Sequence, residues 1–284
     1  MRKVIAAFDL TPAGRRVVDR ARLIAEQFQT HLCLLHVLEK CEDPFLSEDE
    51  AKFLADHRQT AAAALVDWVA GRTTVPIEFD VVKGAPTAQV ARLARDVDLV
   101  VAGTSSIDAA QLGPVTRRLA RKARSSVLAV RRQPRVPYRR VVAAVDLSEP
   151  SKQAVELSIA LAPEADLTVV YALSPEADVL LGQSRLFEQD VAARRSERLG
   201  RAQEALTEFV APWGDSIRTL VVEGPPSQAI GEAARRRGAD LVTVASRGAG
   251  ATSMVLLGGT AEEIMAAAPC DTAVARVEGA FRRP

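Results

Sequence analysis

The chain is short of cysteine, histidine, long apolar runs and net charge, and each shortage removes a class of protein. Only three cysteines occur in 284 residues, Cys33, Cys41 and Cys270. They are too few and too scattered for a disulfide framework or a structural zinc site, so a reducing, cytoplasmic setting is expected. No window of roughly eighteen uncharged apolar residues exists, and no transmembrane helix is expected. The opening Met1–Asp9 turns polar after one short apolar run, which does not make a secretory leader. Lysine and arginine number 37 against 36 aspartates and glutamates, a net charge of +1. With no global basic field, neither nucleic acid nor an anionic membrane is an expected partner. Local basic patches exist, such as Arg117–Arg124, which reads first as a solvated helix face. No histidine lies in the second half, which therefore lacks the commonest general base.

What is present is an internal repeat. Arg2–Thr11 (RKVIAAFDLT) returns as Arg139–Ser148 (RRVVAAVDLS), each a basic pair, five apolar residues, then Asp-Leu-Thr/Ser. A length of 284 residues suits two domains, and the apolar and charged shares, 48% and 26%, suit two globular cores. Helical patterns follow at Ala13–Gln27 and Ser151–Leu161, then apolar runs at His31–Val37 and Leu167–Ala172. A capping box at Ser47–Glu50 opens a long helix to about Ala70, and a second spans about Ser184–Val210. Strands are expected at Ile77–Val82 and Ile217–Val222, each ended by a turn, Lys83–Thr87 and Glu223–Ser227. Helices at Ala88–Arg95 and Gln228–Arg236 precede fourth strands at Asp98–Ala102 and Asp240–Val244. Helices at Val115–Ala123 and Ala261–Ala268 and strands at Ser126–Val130 and Thr272–Arg276 complete each half. Strands alternating with helices predict an α/β fold: two tandem doubly wound domains, each a five-stranded parallel sheet with helices on both faces. The domains are placed at 1–132 and 138–284. The proline-bearing linker Arg132–Pro137 is short enough to lay them against each other.

Ligands of open α/β sheets bind beyond the carboxyl ends of the strands, where the strand order reverses. Asp9 and Asp146 each end a first strand. Each either accepts a hydrogen bond from a ligand or caps the helix after it. In the second half a glycine-bearing loop, Ala245–Thr260, runs from the fourth strand to a helix. The amides of Gly258, Gly259 and Thr260 would open that helix toward an anion, or the stretch is an ordinary N-cap loop.

With these residues in view, both halves resemble the universal stress protein family, whose nucleotide-binding members carry Gly-x2-Gly-x9-Gly-(Ser/Thr) after the fourth strand and an aspartate ending the first. In the second half Ala245 takes the first glycine's place, Gly248 is the second, nine residues follow, and Gly258 is the third. Gly259 stands where Ser or Thr is expected, and Thr260 follows. Asp146 matches the family aspartate, with Leu147 beside it, and Ala172 matches the position whose backbone reads the adenine. Ala245 adds a methyl where positive φ or close approach is expected, and Gly259 lacks a hydroxyl to phosphate, a loss of about 1 kcal/mol. Arg247 is placed either to touch a phosphate or to face solvent from the loop. The first half departs further: Gly103 is followed by Ser106, only six residues precede Gly113, and Pro114 removes an amide. No nucleotide is expected there, which leaves Asp9 structural.

The resemblance implies a cytoplasmic stress-response protein that binds ATP, AMP or ADP, with or without Mg2+, in its second domain. Family dimers pair their fifth strands edge to edge, so the two halves are expected to form an internal pseudo-dimer; a homodimer of whole chains and a protein partner stay open. No catalytic residue is assigned, and at most slow ATP hydrolysis is expected. A scaffold that binds no nucleotide is the alternative, favoured by Ala245 and Gly259. No P-loop lysine follows the glycines, no third glycine completes a dinucleotide fingerprint, and no Gly-x-Ser-x-Gly elbow occurs. An adenylate-forming relative would need a Ser-Gly-Gly-x-Asp-Ser type loop, which is absent. His31, Cys33 and His36 share one expected strand and read as packing rather than a metal site. Glu262 and Glu263 read as favourable first-turn charge, not as Mg2+ ligands.

Overall fold

In the computed structural model the chain divides into two units at Pro137 and Tyr138. The structure describes residues 1, 3–39, 50–69, 73–104, 112–174, 188–246 and 257–276. The first unit runs β1 (Lys3–Phe8), α1 (Pro12–Phe28), β2 (His31–Leu38), α2 (Glu50–Val69), β3 (Ile77–Lys83), α3 (Pro86–Leu93), β4 (Leu99–Gly103), α4 (Pro114–Lys122), β5 (Ser126–Val130). The second runs β6 (Arg140–Val145), α5 (Lys152–Leu161), β7 (Asp166–Leu173), α6 (Glu188–Val210), β8 (Arg218–Glu223), α7 (Pro226–Arg237), β9 (Leu241–Ala245), α8 (Gly259–Ala267), β10 (Asp271–Ala275).

Each unit is a doubly wound sheet of parallel strands. The order is β3-β2-β1-β4-β5 in the first unit and β10-β9-β6-β7-β8 in the second. β5, β9 and β10 are buried at every residue. Burial of successive residues, which point to opposite faces, requires cover on both sides of the sheet. The near-continuous Val, Ala and Leu of these strands follow from that cover. β3 and β8 are only partly buried and lie against α2 and α6.

Four helices begin on proline: Pro12, Pro86, Pro114 and Pro226 each occupy the first turn. Proline at this point gives up an N–H that has no intrahelical partner and arrives with a helical φ. α3 and α7 therefore start two residues before the positions expected from the turn signals. The true turns are Gly84, φ 139°, and Gly224, φ 129°, where only glycine is at ease. Their amides close the ends of β2 and β7 by donating to the Leu38 carbonyl at 2.9 Å and the Leu173 carbonyl at 3.1 Å. In the second unit Tyr138 Oη donates to Asp271 Oδ2 at 2.8 Å, both side chains buried, tying the start of the unit to β10.

Candidate functional site

In the second unit the strand order reverses between β6 and β9, so their carboxyl ends flank the crevice where a ligand of such a sheet is expected. A cavity of about 530 Å³ lies there. Its wall brings together Asp146, Ala172, Ala245, Gly258, Gly259 and Thr260, distant in sequence and all singled out above. Ser246, from the glycine-bearing loop, also lines it, as do Ser151, Tyr171, Pro226 and Ile230. The last four carried no motif signal: Tyr171 reads as one more strand residue, and α7 reaches the crevice only through the crossover. Leu147 is not on the wall, and Arg247 and Gly248 lie outside the described residues.

Asp146 follows β6 and is exposed. Its Oδ1 accepts from the Ser148 amide at 3.1 Å and from the Ser148 hydroxyl. Asp9 does the same in the first unit, accepting from the Thr11 amide at 3.3 Å and from the Thr11 hydroxyl. Thr11 in turn accepts from the Gly14 amide as the N-cap of α1. Neither aspartate caps a helix directly, which corrects one of the two roles left open for them. Each instead pins the hydroxyl residue two positions on.

The start of α8 differs from expectation at one donor. The Gly258 amide donates to the Ser246 carbonyl at 2.9 Å, so it does not face the crevice as an open donor. The helix then begins at Gly259, with no side-chain cap. The first amides of a helix lack intrahelical partners, and the dipole adds positive potential there. An anion at this point would meet Gly259, Thr260 and Ala261 rather than Gly258.

Nor does anything among the described residues require these glycines. Gly258 sits at φ −62°, ψ 146°, ordinary extended backbone. Among the described residues, a Cβ on it would come no nearer than 3.8 Å to another group, and one on Gly259 would meet nothing within 4 Å. Ala245, in turn, is the last residue of β9 and is not among the described residues of positive φ. Its methyl group strains nothing in the backbone. Gly103, its counterpart, is a packing glycine, since a Cβ there would stand 2.9 Å from Val17 Cγ2 on α1.

The first unit has a smaller cavity, about 340 Å³, at the equivalent strand ends, lined among others by Phe8, Asp9, Gly103, Gly113 and Pro114. Gly113 repeats the backbone of Gly258, φ −60°, ψ 150°, but the helix it caps starts on Pro114. The Thr116 hydroxyl donates back to the Gly103 carbonyl at 2.5 Å. On β2, buried His36 places Nδ1 3.0 Å from the Phe8 carbonyl oxygen, a hydrogen bond between β2 and the end of β1.

The family model for the universal stress protein family matches the chain twice, over residues 1–131 and 137–276. The chain belongs to that family, as a tandem of two such domains. A universal stress protein of Thermus aquaticus, adjacent to a QAH/OAS sulfhydrylase gene, is 32% identical over 142 residues, 49% of this chain and 99% of that protein. Universal stress protein MJ0531 of Methanocaldococcus jannaschii is 28% identical over 144 residues, 49% of this chain and 82% of that protein. Among solved structures, a universal stress protein from Archaeoglobus fulgidus superposes over 96% of both chains with a TM-score of 0.70 at 14% identity. That likeness extends to the whole tandem fold. Among the described residues, no helix is long and apolar enough to cross a membrane.

Proposed function

We propose that this tandem universal stress protein binds an adenine nucleotide in the crevice of its second unit and serves stress response or signalling. The observation that carries the reading is the entrance of α8. Among the described residues, neither φ nor packing asks for the two adjacent glycines, which stand beside a 530 Å³ cavity and at the positive end of a helix. A ligand approaching closer than a Cβ would permit is a physical reason for Gly258, while Gly259 offers an open amide at the helix entrance. The phosphates would lie on the Gly259 and Thr260 amides, passing Gly258, with Gly248 and Arg247 on the preceding loop. Asp146 and Ala172 flank the space left for ribose and adenine, where a carboxylate accepts from a hydroxyl or amine. ATP, ADP and AMP share these contacts; Mg2+ would be held by the phosphates. No catalytic residue is assigned.

A second reading, an interaction scaffold that binds no nucleotide, is favoured by the engaged Gly258 amide and by the hydroxyl missing at Gly259. Calorimetric titration with ATP and Mg2+ separates the two. One site per chain, lost in a Gly258→Asp variant that still folds, is expected. No heat up to millimolar ATP would leave the scaffold as the better account, and two sites would bring the first unit into play.

A further inference from the structure

The first unit's crevice occupies the same place in an equivalent sheet, yet its chemistry is reversed. With Gly113 aligned on Gly258, the two N-caps, Pro114 replaces Gly259 and Val115 replaces Thr260. One amide and one hydroxyl donor are thereby gone from the helix entrance. Thr116 supplies a hydroxyl, but it is turned to the Gly103 carbonyl. At the end of β2, Glu39 stands where the second unit has Ser174, and it lines the cavity with Asp9. Between these carboxylates and Pro114 the wall is apolar, with Phe8, Val37, Val90 and Val115 facing the space. Phe8 and Val37 are larger than their counterparts Val145 and Ala172, and the cavity is smaller, 340 against 530 Å³.

We propose that the crevice of the first unit is a second small-molecule site, one that takes a ligand with an apolar body and a protonated amine and rejects phosphate. Apolar walls with a few polar groups at one end are the usual build of a small-ligand pocket. Two carboxylates at the mouth raise the local concentration of cations and repel phosphates. An ammonium can donate to both, whereas a phosphate there would find fewer donors and two like charges. The site is independent of the nucleotide reading for the second unit.

The test is methyl NMR on the full chain labelled at valine, with tryptamine as the probe and indole-3-propionate, the same ring bearing a carboxylate, as its control. Tryptamine is expected to shift the Val37, Val90 and Val115 methyls saturably, and saturating ATP is expected to leave those shifts in place. Indole-3-propionate is expected to bind about ten-fold more weakly, because both carboxylates repel it. The double variant Asp9→Asn with Glu39→Gln keeps the shape and removes both charges; it should weaken tryptamine about five-fold without changing the affinity for ATP. If that pair compromises folding, Glu39→Gln alone, at an exposed position, should still cost about two-fold. Equal affinity for the two indoles, displacement of tryptamine from these methyls by ATP, unchanged affinity in the variants, or no saturable shift up to millimolar probe would each overturn the proposal.

Discussion

Gly14 lies so close to Asp9 that a Cβ on it would stand 1.8 Å from the Asp9 carbonyl oxygen. The second unit carries Ser151 at this position, with a Cβ, and its turn is built differently. There the backbone passes through Leu147 at φ 62° and a short 3-10 turn, Glu149–Ser151, before α5 begins. Leu10 is not among the described residues of positive φ. Two nearly identical sequences, Asp-Leu-Thr and Asp-Leu-Ser, thus take different turns, and the residue five positions after the aspartate accounts for it. Gly14→Ala should therefore displace the Asp9 turn and destabilise the chain by about 1–3 kcal/mol, as overpacking does. A thermal melt checks this, and an unchanged melting temperature would mean that the turn simply adopts the second unit's form.

Leu147 is a bulky residue in the left-handed region, where the clash of Cβ with the following carbonyl costs roughly 1–2 kcal/mol. Asn tolerates that region by hydrogen bonding locally. Leu147→Asn is expected to raise stability by about 0.5–1 kcal/mol, while Leu10→Asn, at the counterpart with ordinary φ, should not. Urea denaturation of the two variants side by side measures the difference. A loss at Leu147 would show that the side chain's packing outweighs its backbone strain.

A pH effect is expected from the pair Arg195 and Glu223, which joins α6 to the end of β8. Arg195 Nε donates to Glu223 Oε1 at 2.7 Å and Nη2 donates to Oε2. The hydrogen bond from Arg195 holds the Glu223 carboxyl below its ordinary value. A carboxyl depressed in the folded state contributes stability above its unfolded pKa and loses it as pH falls through the folded one. Glu223→Gln should therefore cost stability at neutral pH and nothing once acid has protonated the wild-type group. The pair is solvent-exposed, so the difference is only about 0.5 kcal/mol. Unfolding free energies of the two proteins measured from neutral pH down to about pH 3 should converge at the acid end, below the usual carboxylate range.

The strands were legible because a parallel strand buried on both faces must be apolar at nearly every residue, as in Leu241–Ala245 and Ser126–Val130. The repeat made the second copy of each element a check on the first. Pro86 and Pro226 were misread by two residues because proline serves a turn and a helix start equally well, and only the Gly84 and Gly224 dihedrals decide between them. The acceptor of the Gly258 amide was not legible at all. Ser246 lies twelve residues before it, and nothing local marks that carbonyl as the partner. The same holds for Gly14, whose constraint comes from the Asp9 carbonyl folding back over the first turn of α1. Gathering Asp146, Ala172 and Gly259 around one cavity follows from strand order, which the alternation of strands and helices implies but does not place residue by residue.

Gly259 offers the sharpest test of the second unit, because changes there separate binding from folding. Among the described residues a Cβ there would meet no atom within 4 Å, and the position opens α8 without a side-chain cap. Gly259→Ser should therefore fold as well as the parent, and its helix position even favours a residue with less backbone freedom than glycine. If phosphates rest at this helix entrance, the serine hydroxyl adds a donor to them, worth about 1 kcal/mol or roughly five-fold in ATP affinity. Gly259→Leu, with no donor and more bulk over the same entrance, should fold and bind less. Tighter binding in the first variant and weaker binding in the second, with equal melting temperatures, is the pattern a phosphate at Gly259 requires. Equal affinity in all three proteins would move the phosphates elsewhere and remove the reason given for the paired glycines.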